Sequence, residues 1–188
     1  VLHSQFQAVS NYARRKGIIL KGDLPIGIHR TSVEAWTEGR YFQMNGQAGA
    51  PPDDFSALGQ NWSFPTYHWE IMEEDGFTWW KKRFGKMSDY FDSFRIDHIL
   101  GFFRIWEIPL DYVQGLCGHF RPALPLSVGE IESYGLAFKK EYTLAIIHRK
   151  YLPELFGEQT VTVTDHYLFP MDAEHMMLNP FCDTQRKI

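Results

Sequence analysis

The chain has 188 residues, 44% hydrophobic and 16% aromatic, enough to bury a sizeable core, and carries a formal charge of −4 at pH 7. Lys and Arg are scattered among the acids with no basic stripe, so no nucleic-acid partner is expected. No apolar run approaches the roughly 18 residues of a membrane span, no leader is visible, and Cys117 and Cys182 lack metal-type or disulfide-framework spacing, which makes a cytoplasmic protein without a membrane partner the simplest reading.

The chain opens at Val1 in a helical pattern and stops after Arg186-Lys187-Ile188 without a closing element, so an excerpt of a longer protein is expected. Phe6, Val9 and Ala13 share a helical face over residues 4–16, with Ser4 as N-cap and Gly17 as stop. Ile18-Ile19-Leu20 reads as a buried parallel strand that delivers Asp23 into a loop. Residues 36–67 are rich in Gly, Pro, Asn and aromatics without a period and predict a long loop, ordered by its aromatic content. From Asp75 the spacing of Phe77, Trp80, Phe84, Met87 and Phe91 predicts a helix with a core-facing stripe.

Ser93 to Asp97 reads as a short buried strand, on which Arg95 and Asp97 face one side and Ile96 the other. A carboxylate beside a guanidinium is held ionised, as a covalent catalyst of glycosyl transfer requires. By itself the triplet fits an ordinary salt-bridged strand end better than a catalytic carboxylate. Beyond Pro109 the character changes: Ser127-x-x-Glu130 is a capping box, and Leu144, Ile147 and Tyr151 give a short helical stripe before Pro153. Thr160 to Thr164 is a β-branched run, and a Met-rich segment follows it.

Two strands ending in Asp23 and Asp97, joined by a loop and a helix, have the connectivity of successive units in an α/β barrel, whose strands all deliver their carboxyl ends to one site. The loop between them carries Pro51-Pro52-Asp53-Asp54-Phe55-Ser56-Ala57-Leu58-Gly59-Gln60-Asn61-Trp62. Rings that stack on sugar C–H faces, interleaved with amides and carboxylates that bond hydroxyls, suit a glucan. The same loop is also consistent with aromatics that serve only to pin it down.

These motifs resemble a known family. Gly22-Asp23-Leu24-Pro25-Ile26, the Pro-Pro-Asp-x-Phe-Ser-x-x-Gly-Gln-x-Trp loop, Pro65-x-Tyr67-x-Trp69, Arg95-Ile96-Asp97-His98 and Trp106-Glu107-Ile108-Pro109 occur in the order and spacing of 4-α-glucanotransferases. These are the amylomaltases or disproportionating enzymes of glycoside hydrolase family 77. Ile99-Leu100-Gly101-Phe102-Phe103-Arg104-Ile105-Trp106, with Phe120-Arg121-Pro122 and Pro125-Leu126-Ser127, looks closer to the long, cytosolic, maltose-metabolising type. The resemblance implies part of a (β/α)8 barrel of TIM type, with residues 1–109 as partial catalytic barrel carrying the acceptor-side loop 36–67. Residues 110–188 would be a helical insertion or subdomain after the nucleophile strand.

Carried over residue by residue, the resemblance makes Asp97 the nucleophile and Arg95 its ionising neighbour, while His98 contacts the sugar where cleavage occurs. Asp23 aligns with a carboxylate near that sugar, and Asp53, Phe55, Gln60 and Trp62 with substrate-binding positions of the acceptor loop. No metal or cofactor is implied. The implied partners are α-1,4-glucans, maltose and maltooligosaccharides, with glycogen or starch as larger candidates, and the oligomeric state stays open. Three departures stand out: Asp54 where Tyr is usual, Ser63 where Gly is common, and Gly27-Ile28-His29-Arg30-Thr31-Ser32 in place of an Asp-Ser continuation. The family's acid/base Glu, in an Ala-Glu-Asp-Leu-Gly type motif, is absent, so the chain is expected to hold half of a catalytic pair and to be inactive alone. A non-catalytic glucan-binding module and an α-glucan hydrolase are the alternatives.

Overall fold

The computed structural model describes residues 1–187, which form two compact units: Val1–Leu110 with Gln114–Ala123, and Asp111–Val113 with the residues from Leu124 onward. Each is mixed α/β.

The first unit begins with α1 (Leu2–Arg15), with Val1 in the N-cap position, three residues before the expected Ser4, and the helix ends before Gly17 at φ 71°. Its buried residues are Ser10 and Ala13, whereas Phe6 and Val9 are exposed. The predicted stripe is therefore displaced, because Ser10 Oγ donates to the Tyr90 carbonyl at 2.8 Å and draws that face inward.

Strand β1 (Lys21–Leu24) starts after the apolar run, and Ile18 and Ile19 are exposed. Its extent is set by parallel pairing with β6 (Ser93–Ile96), which runs from Lys21 opposite Ser93 to Leu24 opposite Ile96. Between these strands lie α2 (Val33–Thr37), β2 (Phe42–Gln43), β3 (Gly46–Ala50), β4 (Gln60–Asn61), β5 (Thr66–Tyr67), α3 (Trp69–Glu74) and α4 (Thr78–Tyr90). The predicted loop 36–67 thus contains four short strands, while residues 51–59 and 62–65 remain irregular. Its strand β3, Gly-Gln-Ala-Gly-Ala, has no hydrophobic period and is held by backbone pairing to β4 and to β7 (Ile105–Pro109), which also pairs with β8 (His119–Arg121).

Helix α4 follows the middle of its expected stripe but starts at Thr78 rather than Asp75, with Phe77 and Phe91 as its flanking cap residues and Phe77 exposed. Trp80 is buried, and Phe84 and Met87 pack against a core containing Leu24, Ile26, Tyr41, Phe42, Tyr67, Met72 and Trp79. Burial of each such large side chain contributes on the order of 1.5–3 kcal/mol. Asp75 fixes the helix start by accepting the Thr78 N–H at 3.1 Å, and bonds from Tyr41 and Thr78 hold its carboxyl below the usual carboxylate range. Strand β6, expected to be buried, is exposed at Ser93, Phe94 and Arg95, because among the described residues it pairs with β1 alone.

The second unit contains α5 (Val128–Ser133), β9 (Ile147–His148), α6 (Leu152–Phe156), α7 (Thr160–Tyr167), β10 (Leu168–Pro170) and β11 (His175–Leu178). The Ser127–Glu130 capping box forms as expected. Leu144, Ile147 and Tyr151 do not share a helix: Ile147 enters β9, and α6 begins at Leu152 with Pro153 in its first turn. The β-branched run is helical in α7, where packing of Val163 with Leu152, Leu168 and Met176 outweighs local propensity. The unit also contains an antiparallel sheet in the order β10-β11-β9, so it is not helical alone. Cys117 and Cys182 are free thiols, and no helix among the described residues is long and apolar enough to cross a membrane.

Candidate active site

Parallel pairing places the carboxyl ends of β1 and β6 side by side. Asp23 stands opposite Arg95 in register, and an Arg95 Nη2 to Asp23 Oδ2 ion pair of 2.8 Å joins them. The guanidinium predicted to neighbour Asp97 is therefore engaged by the carboxylate directly across the ladder. One step further on, the Asp97 N–H donates to the Leu24 carbonyl at 3.0 Å and carries the β1–β6 bonding past the last residue of β6.

The chain then turns sharply, because His98 adopts a left-handed backbone at φ 49°. Non-glycine residues in this region are strained, and such strain persists only where the surroundings enforce it. The turn brings the imidazole against Trp62, with ring centroids 4.9 Å apart and planes at 81°. Trp62 is fixed in turn by its indole N–H, which donates to Gln60 Oε1 at 2.9 Å, and by a 5.8 Å stack on Phe64. Its backbone N–H bonds the Ala48 carbonyl at 2.9 Å, which ties the end of the loop to β3.

Asp97, His98 and Trp62 open on one cavity of about 730 Å³, whose other walls are Pro25–Arg30, Ser63 and Phe64. This volume lies within the range of small-molecule sites, roughly 300–1,000 Å³. Gly27 is required at the floor: a Cβ there would lie 2.1 Å from Phe64 Cδ2. Asp97 is the single carboxylate among the described residues that line the cavity.

The remaining predicted residues lie apart from this cavity. Asp53 uses one carboxylate oxygen, Oδ1, on its own turn, accepting the Phe55 and Ser56 N–H groups at 3.0 and 2.8 Å. Phe55 is 96% exposed at the tip of that turn. Gln60 reaches the cavity only through Trp62, and Asp23 and Arg95 pair with each other outside its lining. The sequence reading missed Phe64 and Arg30. Arg30 was signalled by a lone guanidinium in the loop after β1, at a place where the chain departs from the pattern it otherwise follows.

Fold and site together define a mixed α/β protein with a carboxylate and aromatic rings gathered at the carboxyl ends of parallel strands. Residues 1–178 match the family described as 4-alpha-glucanotransferase, glycoside hydrolase family 77. The 4-alpha-glucanotransferase DPE2 of Oryza sativa subsp. japonica is 44% identical over 187 residues, 100% of this chain and 20% of the relative. The chloroplastic/amyloplastic 4-alpha-glucanotransferase of Solanum tuberosum is 38% identical over 70% of this chain and 24% of its own length. Among solved structures, the amylomaltase from Streptococcus agalactiae in complex with acarbose superposes with a TM-score of 0.60 at 35% identity, covering 72% of this chain and 28% of that one. The amylomaltase from Corynebacterium glutamicum gives 0.58 at 27% identity, over 62% of this chain and 17% of its own.

The chain belongs to family 77 of the glycoside hydrolases, the 4-alpha-glucanotransferases. It spans about a fifth of the length of the curated relatives it matches.

Proposed function

We propose that the protein to which this chain contributes is a retaining 4-α-glucanotransferase, cleaving an α-1,4 bond and passing the glycosyl unit to another glucan or to glucose. The observation that carries this reading is Asp97, the lone carboxylate of an aromatic-walled cavity at the end of a parallel strand. A carboxylate oxygen of Asp97 attacks the anomeric carbon and forms a glycosyl ester as the bond to the leaving 4-oxygen breaks. The leaving oxygen takes a proton from a second carboxyl about 5–5.5 Å from the first, supplied by a part of the protein outside this chain. An acceptor hydroxyl then attacks the same carbon, the ester bond to Asp97 breaks and restores its carboxylate, and the hydroxyl proton returns to the second group, by then a carboxylate.

His98 and Trp62 form the wall that orients the sugar. Gln60 acts through Trp62, and Arg95 paired to Asp23 stiffens the strand ends from which Asp97 projects. Within this reading residues 1–109 are part of a (β/α)8 barrel, 110–188 form an insertion, and the exposed Phe55 offers a face to a long acceptor. Maltose, maltooligosaccharides and larger α-glucans are its substrates, and a cytoplasmic location belongs to the same proposal.

The test uses the full-length protein and a slow glycosyl fluoride donor, with the labelled peptide mapped after quenching. Label on Asp97 is the expected result, and label on any other residue overturns the assignment. With maltose as donor and glucan as acceptor, transfer products must exceed free glucose from hydrolysis.

A further inference from the structure

We infer that Arg30 is a positioning residue for the acceptor side of the site, an inference that rests on the glucanotransferase reading above. Its guanidinium donates to three backbone carbonyls: Met44 at 2.5 Å, Gly46 at 2.7 Å and Ser63 at 3.3 Å. Met44 and Gly46 flank Asn45, between β2 and β3, while Ser63 lies between Trp62 and Phe64 in the cavity wall. One planar fork therefore fastens the strand connection beneath the site to the segment that carries its aromatic rings.

Ser63 is the place where this fastening matters. Its φ is 65°, a left-handed backbone that any residue with a Cβ adopts at a cost. Two bonds hold it there: its N–H donates to Asn61 Oδ1 at 2.8 Å, and its carbonyl accepts from Arg30. Return of Ser63 to extended backbone would redirect the chain on either side and withdraw Trp62 from its 4.9 Å contact with His98. Lysine offers a flexible point charge and cannot reproduce a three-carbonyl fork.

Arg30 touches no reacting atom in this scheme. Its effect passes through Trp62, which the glucanotransferase reading assigns to the acceptor loop; a glycosyl fluoride donor leaves that side empty in the first half-reaction, so loss of Arg30 weakens the second half-reaction more than the first. A residue that only stabilised the fold would depress both halves together.

The experiment compares full-length wild type with Arg30→Lys, Ser63→Gly and the double variant. Donor-step rates come from glycosyl-enzyme formation without acceptor, and acceptor KM from transfer to glucose. Arg30→Lys is expected to raise the acceptor KM about tenfold while the donor step falls by less than about threefold. Ser63→Gly in the same chain is expected to recover most of the loss, because glycine occupies the left-handed region without the clamp. Parallel decline of both steps with the melting temperature, an unchanged acceptor KM, or absence of glycine rescue overturns the inference. Failure of wild type to label Asp97 sinks the parent reading, whereas labelled wild type with an unsplit Arg30→Lys sinks only this one.

Discussion

Asp23 and Arg95 face each other across the parallel β1–β6 ladder and close a 2.8 Å ion pair, although both side chains are 58% exposed. Exposure on this scale screens the charges, so the pair is worth less than about 1 kcal/mol of stability. On the proposed function, its value lies in fixing the strand ends next to Asp97. Arg95→Met in the full-length protein is therefore expected to leave the unfolding midpoint nearly unchanged while lowering kcat by about 10²-fold. Chemical denaturation and steady-state transfer kinetics on the same preparation check the two halves of this prediction.

Gly22 faces the interior on β1, and a Cβ there would lie 2.6 Å from Phe91 Cδ2 and 2.8 Å from Met87 Cε. Helix α4 can approach the strand this closely only because the side chain is absent. Gly22→Ala is expected to destabilise by about 1–3 kcal/mol through overpacking. Removing the clash with Met87→Ala in the same chain should return part of that loss, which a double-mutant cycle in urea would measure.

Asp92 links the end of α1 to the start of β1: its carboxylate accepts Arg14 Nε at 2.6 Å and the Leu20 N–H at 3.0 Å. The Arg14 bond, followed by that from Leu20, holds the Asp92 carboxyl below its ordinary value. A folded-state value below the unfolded one, which lies near about 3.9, means that the stabilisation is complete above the unfolded value and is lost as pH falls through the folded one. Wild type and Asp92→Asn should therefore differ by a constant amount from neutral pH down to about pH 5, and converge in more acid solution. Urea midpoints across that range check this, and a difference that grows on acidification would contradict it.

What the sequence made legible were features encoded in side-chain spacing. The α4 stripe placed Trp80, Phe84 and Met87 toward the core, Ser127 and Glu130 announced a capping box, and the order of motifs brought Asp97, His98 and Trp62 to one cavity. Features set by backbone pairing were not legible. β3 reads Gly-Gln-Ala-Gly-Ala and shows no alternation, because its position is fixed by hydrogen bonds to β4 and β7 rather than by burial of large side chains. Arg95 has Asp97 two residues away on the same strand face, yet register offers Asp23 directly across, and only the pairing of distant segments reveals that choice. The resemblance made Asp53 a substrate-binding position, and the turn in which its Oδ1 accepts two backbone N–H groups depends on local chain geometry that the motif does not spell out.

Glu107 gives the last prediction. It lies on β7 with its side chain 8% exposed, accepts Arg121 Nη1 at 3.1 Å, and is bonded by the Thr66 hydroxyl. Three strands thus meet at one buried carboxylate: β5 through Thr66, β7 through Glu107 itself and β8 through Arg121. Glu107→Ala would empty a space beneath Gly46 and leave the Thr66 hydroxyl buried without its acceptor. The expected cost is about 2–4 kcal/mol, since breaking one member of a buried network exceeds the worth of the intact pair. Glu107→Gln keeps the shape and one acceptor oxygen, so its cost should be about half as large. Because β7 anchors β3, and β3 anchors the backbone of Trp62, these losses should also raise the acceptor KM in proportion to the destabilisation. Denaturation midpoints and acceptor kinetics measured on both variants decide it: a large stability loss from Glu107→Ala with wild-type acceptor KM would uncouple the network from the site.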